Sequence, residues 1–232
     1  MGKAELIELN VSLSHTQFEA ANRLYDELPR WELTDRSLEL LAERFPGFGP
    51  EATLLKVVAL NSLYGTNVYA TVRMAEHIEG VMNTVDIETA GLDLVERIAD
   101  LPPWLPGQKH LHHRSFASKF AHFFIDSDRF PIMDSYAVRM VRYHLGARNC
   151  TPACNHPYAA FVTDLTRLAE AVGMSRSDRV LDRYLWLAGQ YLTWRQKPSY
   201  PINAELAALF ANECAKVQGD LAALVGASPD GR

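Results

Sequence analysis

Apolar residues in this chain recur at the three- and four-residue spacing of helices, and proline or glycine interrupts the pattern at most segment ends. That punctuation admits a bundle of helices and leaves little room for a strand ladder, which needs a two-residue alternation. Ser14 and Gln17 stand at capping-box spacing and predict a helix running to about Leu28, before Pro29. Thr34 or Asp35 is expected to cap the next, striped by Leu38, Leu40, Leu41 and Phe45 and ended by Pro46-Gly47. From Pro50 a buried helix carries Leu54, Leu55, Val57, Val58, Leu60 and Leu63, breaks near Tyr64-Gly65-Thr66-Asn67, and resumes over about Val68 to His77. Ile87 to Asp100 fits another helix, and the Pro-rich run Leu101 to Gly107 excludes one. Helices are expected over about Ser115–Phe124 and Asp134–Leu145, then, after a loop at 146–157, over about 158–172, 176–196 and 202–224. The first dozen residues read as a short strand or an extended arm. The fold class is therefore all-α, with eight or nine helices in a single domain spanning 1–232, its lobes taken as 50–110 and 111–225 with the N-terminal helices.

A chain of 232 residues, 48% hydrophobic and 22% charged, can bury a real core and has ordinary soluble-protein composition. No run approaches the roughly 18 apolar residues of a membrane span. The start, Met1-Gly2-Lys3-Ala4-Glu5, lacks the pattern of a secretion signal, and an odd count of three cysteines (Cys150, Cys154, Cys214) points to a reducing, cytoplasmic setting. Net charge of −5 counts against non-specific coating of nucleic acid, which phosphate neutralisation dominates. Yet cations gather locally. Lys109, His110, His112, His113, Arg114 and Lys119 fall within eleven positions, and Arg129, Arg139, Arg142 and Arg148 follow. No Gly-rich phosphate loop follows a strand, which sets nucleotide-binding α/β folds aside.

The basic region surrounds the most informative stretch, Ser115 to Met140. Lys119 lies among Phe116, Phe120, Phe123 and Phe124, either snorkelling at the edge of a core or held where burial favours its neutral, nucleophilic form. Asp134, fifteen positions on, opens the helix after Pro131, either as an N-cap or as a carboxylate facing developing positive charge. Asn61, Tyr64, Asn67 and Tyr69 sit at the helix break, where they line a pocket, wedge into a base stack or cap the following helix. Trp186, Tyr191 and Trp194 read as core or as a ligand box, and Trp186 stays among the candidates for substrate contact. His110, His112 and His113 share no single face and have no carboxylate at ligand spacing; Cys150, Cys154 and His156 lack a fourth ligand nearby. No metal site is expected, and Cys214 reads as a helix-core residue.

Two motifs in this stretch resemble the helix-hairpin-helix DNA glycosylases, in particular the 8-oxoguanine glycosylase-like branch. Ser118-Lys119-Phe120-Ala121 looks like that family's catalytic-lysine site. Phe130-Pro131-Ile132-Met133-Asp134-Ser135-Tyr136-Ala137-Val138-Arg139 looks like its aspartate site, with Val138 and Arg139 in step, and Leu60 to Asn67 is similar to the junction that fills the gap left by an extruded base. The resemblance covers roughly residues 50 to 200. It implies a two-lobed bundle with the active site in the cleft between lobes, a monomer acting on double-stranded DNA that contains a damaged or modified base, and no cofactor. Lys119 would attack the sugar and Asp134 would stabilise the cationic intermediate. Asn61, Tyr64, Asn67, Lys109, Arg114, Arg139 and Trp186 would contact substrate or DNA. The base is 8-oxoguanine-like or a bulky phage-type modified cytosine.

Three departures stand beside the resemblance. The Leu-Pro-Gly-x-Gly hairpin is not immediately before Lys119, and its partial echo, Leu105-Pro106-Gly107-Gln108-Lys109, leaves Lys109 as a rival nucleophile. The lysine-to-aspartate spacing is short for the family, and the family's iron–sulfur cysteines are absent from the C-terminal end. The competing class is a non-catalytic all-α DNA-binding or protein-interaction module.

Overall fold

Ser14 does open the first helix. In the computed structural model, which describes residues 7–105, 110–152 and 157–226, its backbone N–H donates to Gln17 Oε1 at 3.0 Å, closing the capping box of α1 (His15–Tyr25). Eleven helices and no strand occur among the described residues, so the chain is all-α. Pro29, expected only to end α1, instead begins α2 (Pro29–Arg44), because proline at a first helical position gives up an N–H that has no partner there anyway. The second helix therefore starts several residues before Thr34 and Asp35. α3 (Pro50–Tyr64) ends on Gly65 in the left-handed conformation (φ 57°), and α4 (Thr71–Met82) resumes later than expected.

The helix expected over 87–100 shrinks to α5 (Asp93–Ala99), because Asp86 draws the preceding segment into a turn, accepting from Glu88 N–H and Thr89 Oγ1. α6 (Arg114–Phe124), α7 (Ser135–Leu145), α8 (Pro157–Ala171) and α9 (Arg179–Gln196) fall close to their expected places, α9 capped by the Asp178 carboxylate on Val180 N–H. The closing helix divides into α10 (Ala204–Phe210) and α11 (Ala215–Leu224), where Asn212 Oδ1 accepts from Cys214 N–H and turns the chain. Cys214 is consequently an exposed N-cap rather than a core residue.

The chain divides into two compact units, one of Met1–Glu32, Ser135–Pro152 and Phe161–Arg232, the other of Leu33–Asp134 and Ala153–Ala160. α5 packs on α6 within the second of these units.

In the first unit α9 packs on α1, α7 and α11. The N-terminal segment is an extended arm: Asn10 and Val11 N–H both donate to His144 O at the end of α7. His144 is fully buried, with Nδ1 2.9 Å from Val11 O and Nε2 2.8 Å from the Tyr184 hydroxyl, which itself accepts from Gln17 Nε2. The network is complete with the proton on Nδ1, Tyr184 donating to Nε2, and the ring neutral. Burial pushes the His144 pKa below its ordinary 6.5. A depressed histidine pKa means that the unfolded chain takes up the proton first. This contribution to stability should be whole above about pH 6.5 and decline as pH falls below it. An NMR titration should place the His144 midpoint below the ordinary histidine value; an ordinary or raised midpoint would refute this.

α7 and α9 approach closely at Gly189, where an added Cβ would stand 2.8 Å from Tyr136 Cβ and 3.1 Å from its backbone. Backbone cannot yield as a flexible side chain does, so Gly189→Ala should destabilise this unit by about 1–3 kcal/mol despite alanine's better helix propensity. Denaturant unfolding checks this, and an unchanged or raised stability would refute it.

Within the second unit four helices form a ring, α3 packing on α4 and α6, and α5 packing on the same two. Along α6 the rings of Phe116, Phe120 and Phe124 follow one another at 5.9 and 5.0 Å, the four-residue spacing that stacks side chains on one helical face. They share the core with Val57, Leu60, Met74, Ile78, Leu94 and Ile98.

Candidate active site

Every residue that brings Lys119 and Asp134 together lies in the second unit. α6 carries Ser118 and Lys119 side by side, and beyond its end Asp126 Oδ1 accepts the N–H groups of Asp128 and Arg129, turning the chain back. The returning segment, 130–134, is tied down at three points. His122 Nδ1 donates to Phe130 O (3.1 Å), and the Tyr158 hydroxyl donates to Pro131 O (2.9 Å). The fully buried Ser118 Oγ accepts from Met133 N–H (3.0 Å) and lies 3.1 Å from Met133 O. These ties place Asp134 Oδ2 3.7 Å from Lys119 Nζ.

The Lys119 amine also donates to Ser115 Oγ at 3.0 Å, one turn back on α6, and stands 5.6 Å from the centroid of the Tyr64 ring. Tyr64 is fixed in turn by its hydroxyl, which donates to Asp35 Oδ1 at 2.6 Å, and by the Phe123 ring 5.6 Å away. Lys119 is 5% exposed, and the side chains of Lys119 and Asp134 are 7% and 13% exposed. The result is a secluded amine and carboxylate beside an aromatic face, on rigidly held backbone. The structure thus brings Lys119, Asp134 and Tyr64 into one site.

The other sequence candidates are placed differently. Asn61 bridges the helix break: its Oδ1 accepts from Thr66 Oγ1 and Val68 N–H, and its Nδ2 donates to Val68 O. Asn67 occupies the left-handed region (φ 58°), which asparagine tolerates, and does not cap α4, whose N-cap is Ala70. Arg114 is paired with Glu96 (Nε to Oε2, 2.7 Å), and Glu96 also accepts Tyr158 N–H. Arg139 and Trp186 belong to the first unit. Arg139 donates to Thr193 Oγ1 and Gln196 Oε1, and Trp186 packs edge-on against Trp31 and Tyr25. Arg129, part of the local basic surplus, donates to Ile87 O and Glu88 O and forms an ion pair with Asp126. Lys109 and the hairpin echo from Pro106 onward lie outside the described residues, as do Cys154 and His156.

Sequence reasoning missed several features of this unit. Ser118, His122 and Tyr158 position Asp134, and nothing local in the sequence marks them, since each works through a backbone carbonyl or amide brought up by the fold. Lys56 is a second buried amine, 2% exposed, donating to Gly47 O (2.7 Å) with the Phe48 and Phe124 rings at 4.5 and 5.4 Å; burial pushes its pKa down. The exposed Tyr69 and Trp104 line a shallow groove with Val72 and Arg73, whose guanidinium lies 4.7 Å from the Trp104 ring centroid.

The expectation of no carboxylate at ligand spacing near the histidines needs correcting. Asp100, ten residues before His110, brings Oδ1 to 3.0 Å from His110 Nε2 and 3.2 Å from His112 Nδ1. His113 is not part of this cluster, and its pKa is lowered by burial and then by His112.

A family described as "HI_0787_N: N-terminal domain" matches residues 17–128, a little under half of the chain. The match includes Lys119 and stops before Asp134. No curated protein and no solved structure matches the chain. No helix among the described residues is long and apolar enough to cross a membrane.

Proposed function

We propose that this chain is a DNA glycosylase of helix-hairpin-helix type, with Lys119 as the amine nucleophile and Asp134 as the carboxylate that stabilises a cationic sugar. The observation that supports it most directly is the secluded Lys119–Asp134 pair, 3.7 Å apart and assembled from segments fifteen residues apart. A shielded site strengthens charge interactions with a developing oxocarbenium-like centre. The C1′–N bond breaks and its electron pair leaves with the base. The Lys119 amine adds to C1′ and its proton passes to the departing base, while the Asp134 carboxylate faces the developing positive charge. Opening of the sugar ring then yields a Schiff base. The target nucleotide must leave the duplex to reach such a site. Exposed Tyr69 and Trp104, with Arg73 beside them, offer stacking faces and a cation for a nucleic acid.

The competing reading, a non-catalytic DNA-binding or protein-interaction module, has one observation in its favour. The Lys119 amine is already satisfied by Ser115 and Asp134, as in a structural ion pair. Borohydride trapping separates the two. Duplexes carrying 8-oxoguanine or a bulky modified cytosine should give a covalent adduct and release the base. Salt-sensitive duplex binding without adduct or base release, on either substrate, would leave the binding module as the correct reading.

A further inference from the structure

We propose that Asp100, His110 and His112 form a binding site for a divalent transition-metal ion of the zinc class. Asp100 directly follows α5, and the two histidines stand two residues apart in the non-helical segment that leads into α6. Two ties hold these parts together: His113 N–H donates to Ala99 O at 2.9 Å, and Arg114 pairs with Glu96. The histidine rings consequently lie 4.7 Å apart, and one ligand atom from each of the three residues falls within 4.8 Å of the other two.

The two carboxylate–imidazole distances suit a shared ion. Metal–ligand bonds of ~2.1 Å at tetrahedral angles give ligand–ligand edges of about 3.4 Å. Asp100 Oδ1 stands 3.0 and 3.2 Å from the two ring nitrogens. Histidine–carboxylate contacts have similar lengths, and metal uptake separates the two cases. Asp100 Oδ1 is shielded from solvent with both ring nitrogens within reach, and no well-aligned hydrogen bond joins them. A carboxylate oxygen and two ring nitrogens converging on one point is an arrangement that a cation completes. A carboxylate and two imidazoles favour zinc-like ions over magnesium or calcium, which take all-oxygen sets. The three side chains are 40–49% exposed, so an ion can enter, and a fourth position is open for water or an anion. Bound there, the ion would tie the end of α5 to the entry of α6, the helix that carries Lys119. The proposal does not depend on the glycosylase reading.

The test uses the full-length chain stripped with a chelator and titrated calorimetrically with zinc sulfate, with cobalt(II) absorption as a second readout. One zinc per chain is expected, with tetrahedral cobalt bands that lack a thiolate charge-transfer feature. His110→Gln, His112→Gln and Asp100→Asn should each weaken binding by at least about tenfold, with folding checked by circular dichroism. A Cys150→Ser/Cys154→Ser chain should bind as well as the wild type. Absence of zinc uptake would overturn the proposal. So would unchanged affinity in a His110→Gln/His112→Gln chain, or binding lost with the cysteines.

Discussion

Lys119→Gln is expected to abolish borohydride trapping and to slow base release by at least about 10²-fold, the range that a lost nucleophile or acid–base group commands. Glutamine can still hydrogen-bond Ser115 Oγ and roughly fills the space, so folding should survive. Asp134→Asn keeps the shape and removes the charge, and should slow base release comparably. The discriminating variant is Lys119→Arg. Arginine restores a cation opposite Asp134 and would rescue a purely structural ion pair, but a guanidinium does not form a Schiff base. If Arg recovers every property that Gln loses, the amine is not a nucleophile. An adduct that survives Lys119→Gln points to another amine, and Lys56→Met and Lys109→Gln then identify which. The side chains of Lys119 and Asp134 are 7% and 13% exposed, so thermal melts should accompany each kinetic measurement. A loss of stability without any change in DNA-dependent readouts would support the binding module.

Phe120→Ala should cost about 3–5 kcal/mol of stability, the usual range for truncating a fully buried aromatic. Phe120 is 0% exposed and joins three rings: Phe116 at 5.9 Å, Phe124 at 5.0 Å and Phe48 at 6.0 Å. Phe48 also covers the buried amine of Lys56, so the cavity would open beside a cation already held against its desolvation. For a chain of this size the melting temperature should fall by roughly 6–20 °C. Phe120→Leu, which leaves a smaller void, should cost far less. A loss under about 1 kcal/mol for the alanine variant would show that the ring cluster collapses without penalty, contrary to a close-packed core.

The helical class and most helix positions were legible because they rest on local signals. The capping box at Ser14, the left-handed stop at Gly65 and the four-residue stripe of Phe116, Phe120 and Phe124 each act within one or two turns. The misses have local causes too. Pro29 starts a helix where the punctuation predicts only a stop, Asp86 shortens α5, and Asn212 divides the closing helix. Each is a single side-chain or backbone choice that hydrophobic periodicity does not register.

The candidate site divides along the same line. Lys119 and Asp134 could be singled out from the chain alone, since an amine among aromatics and a carboxylate after a proline break are chemically unusual neighbours. Their approach to 3.7 Å, however, depends on Ser118, His122 and Tyr158 binding one returning segment. Tyr158 reaches Pro131 from 27 residues away, a pairing that no spacing rule contains. Asn61, Arg114 and Arg139 show the converse. Their side-chain chemistry suits substrate contact, and the folded chain engages each internally. The Asp100–His110–His112 cluster makes the point most directly, for its carboxylate is separated in sequence from both histidines by a Pro-rich run and joins them only when α5 packs on α6. Periodicity and capping are short-range interactions, readable along the chain; convergence of polar groups is a long-range outcome of packing, and only the folded backbone specifies it.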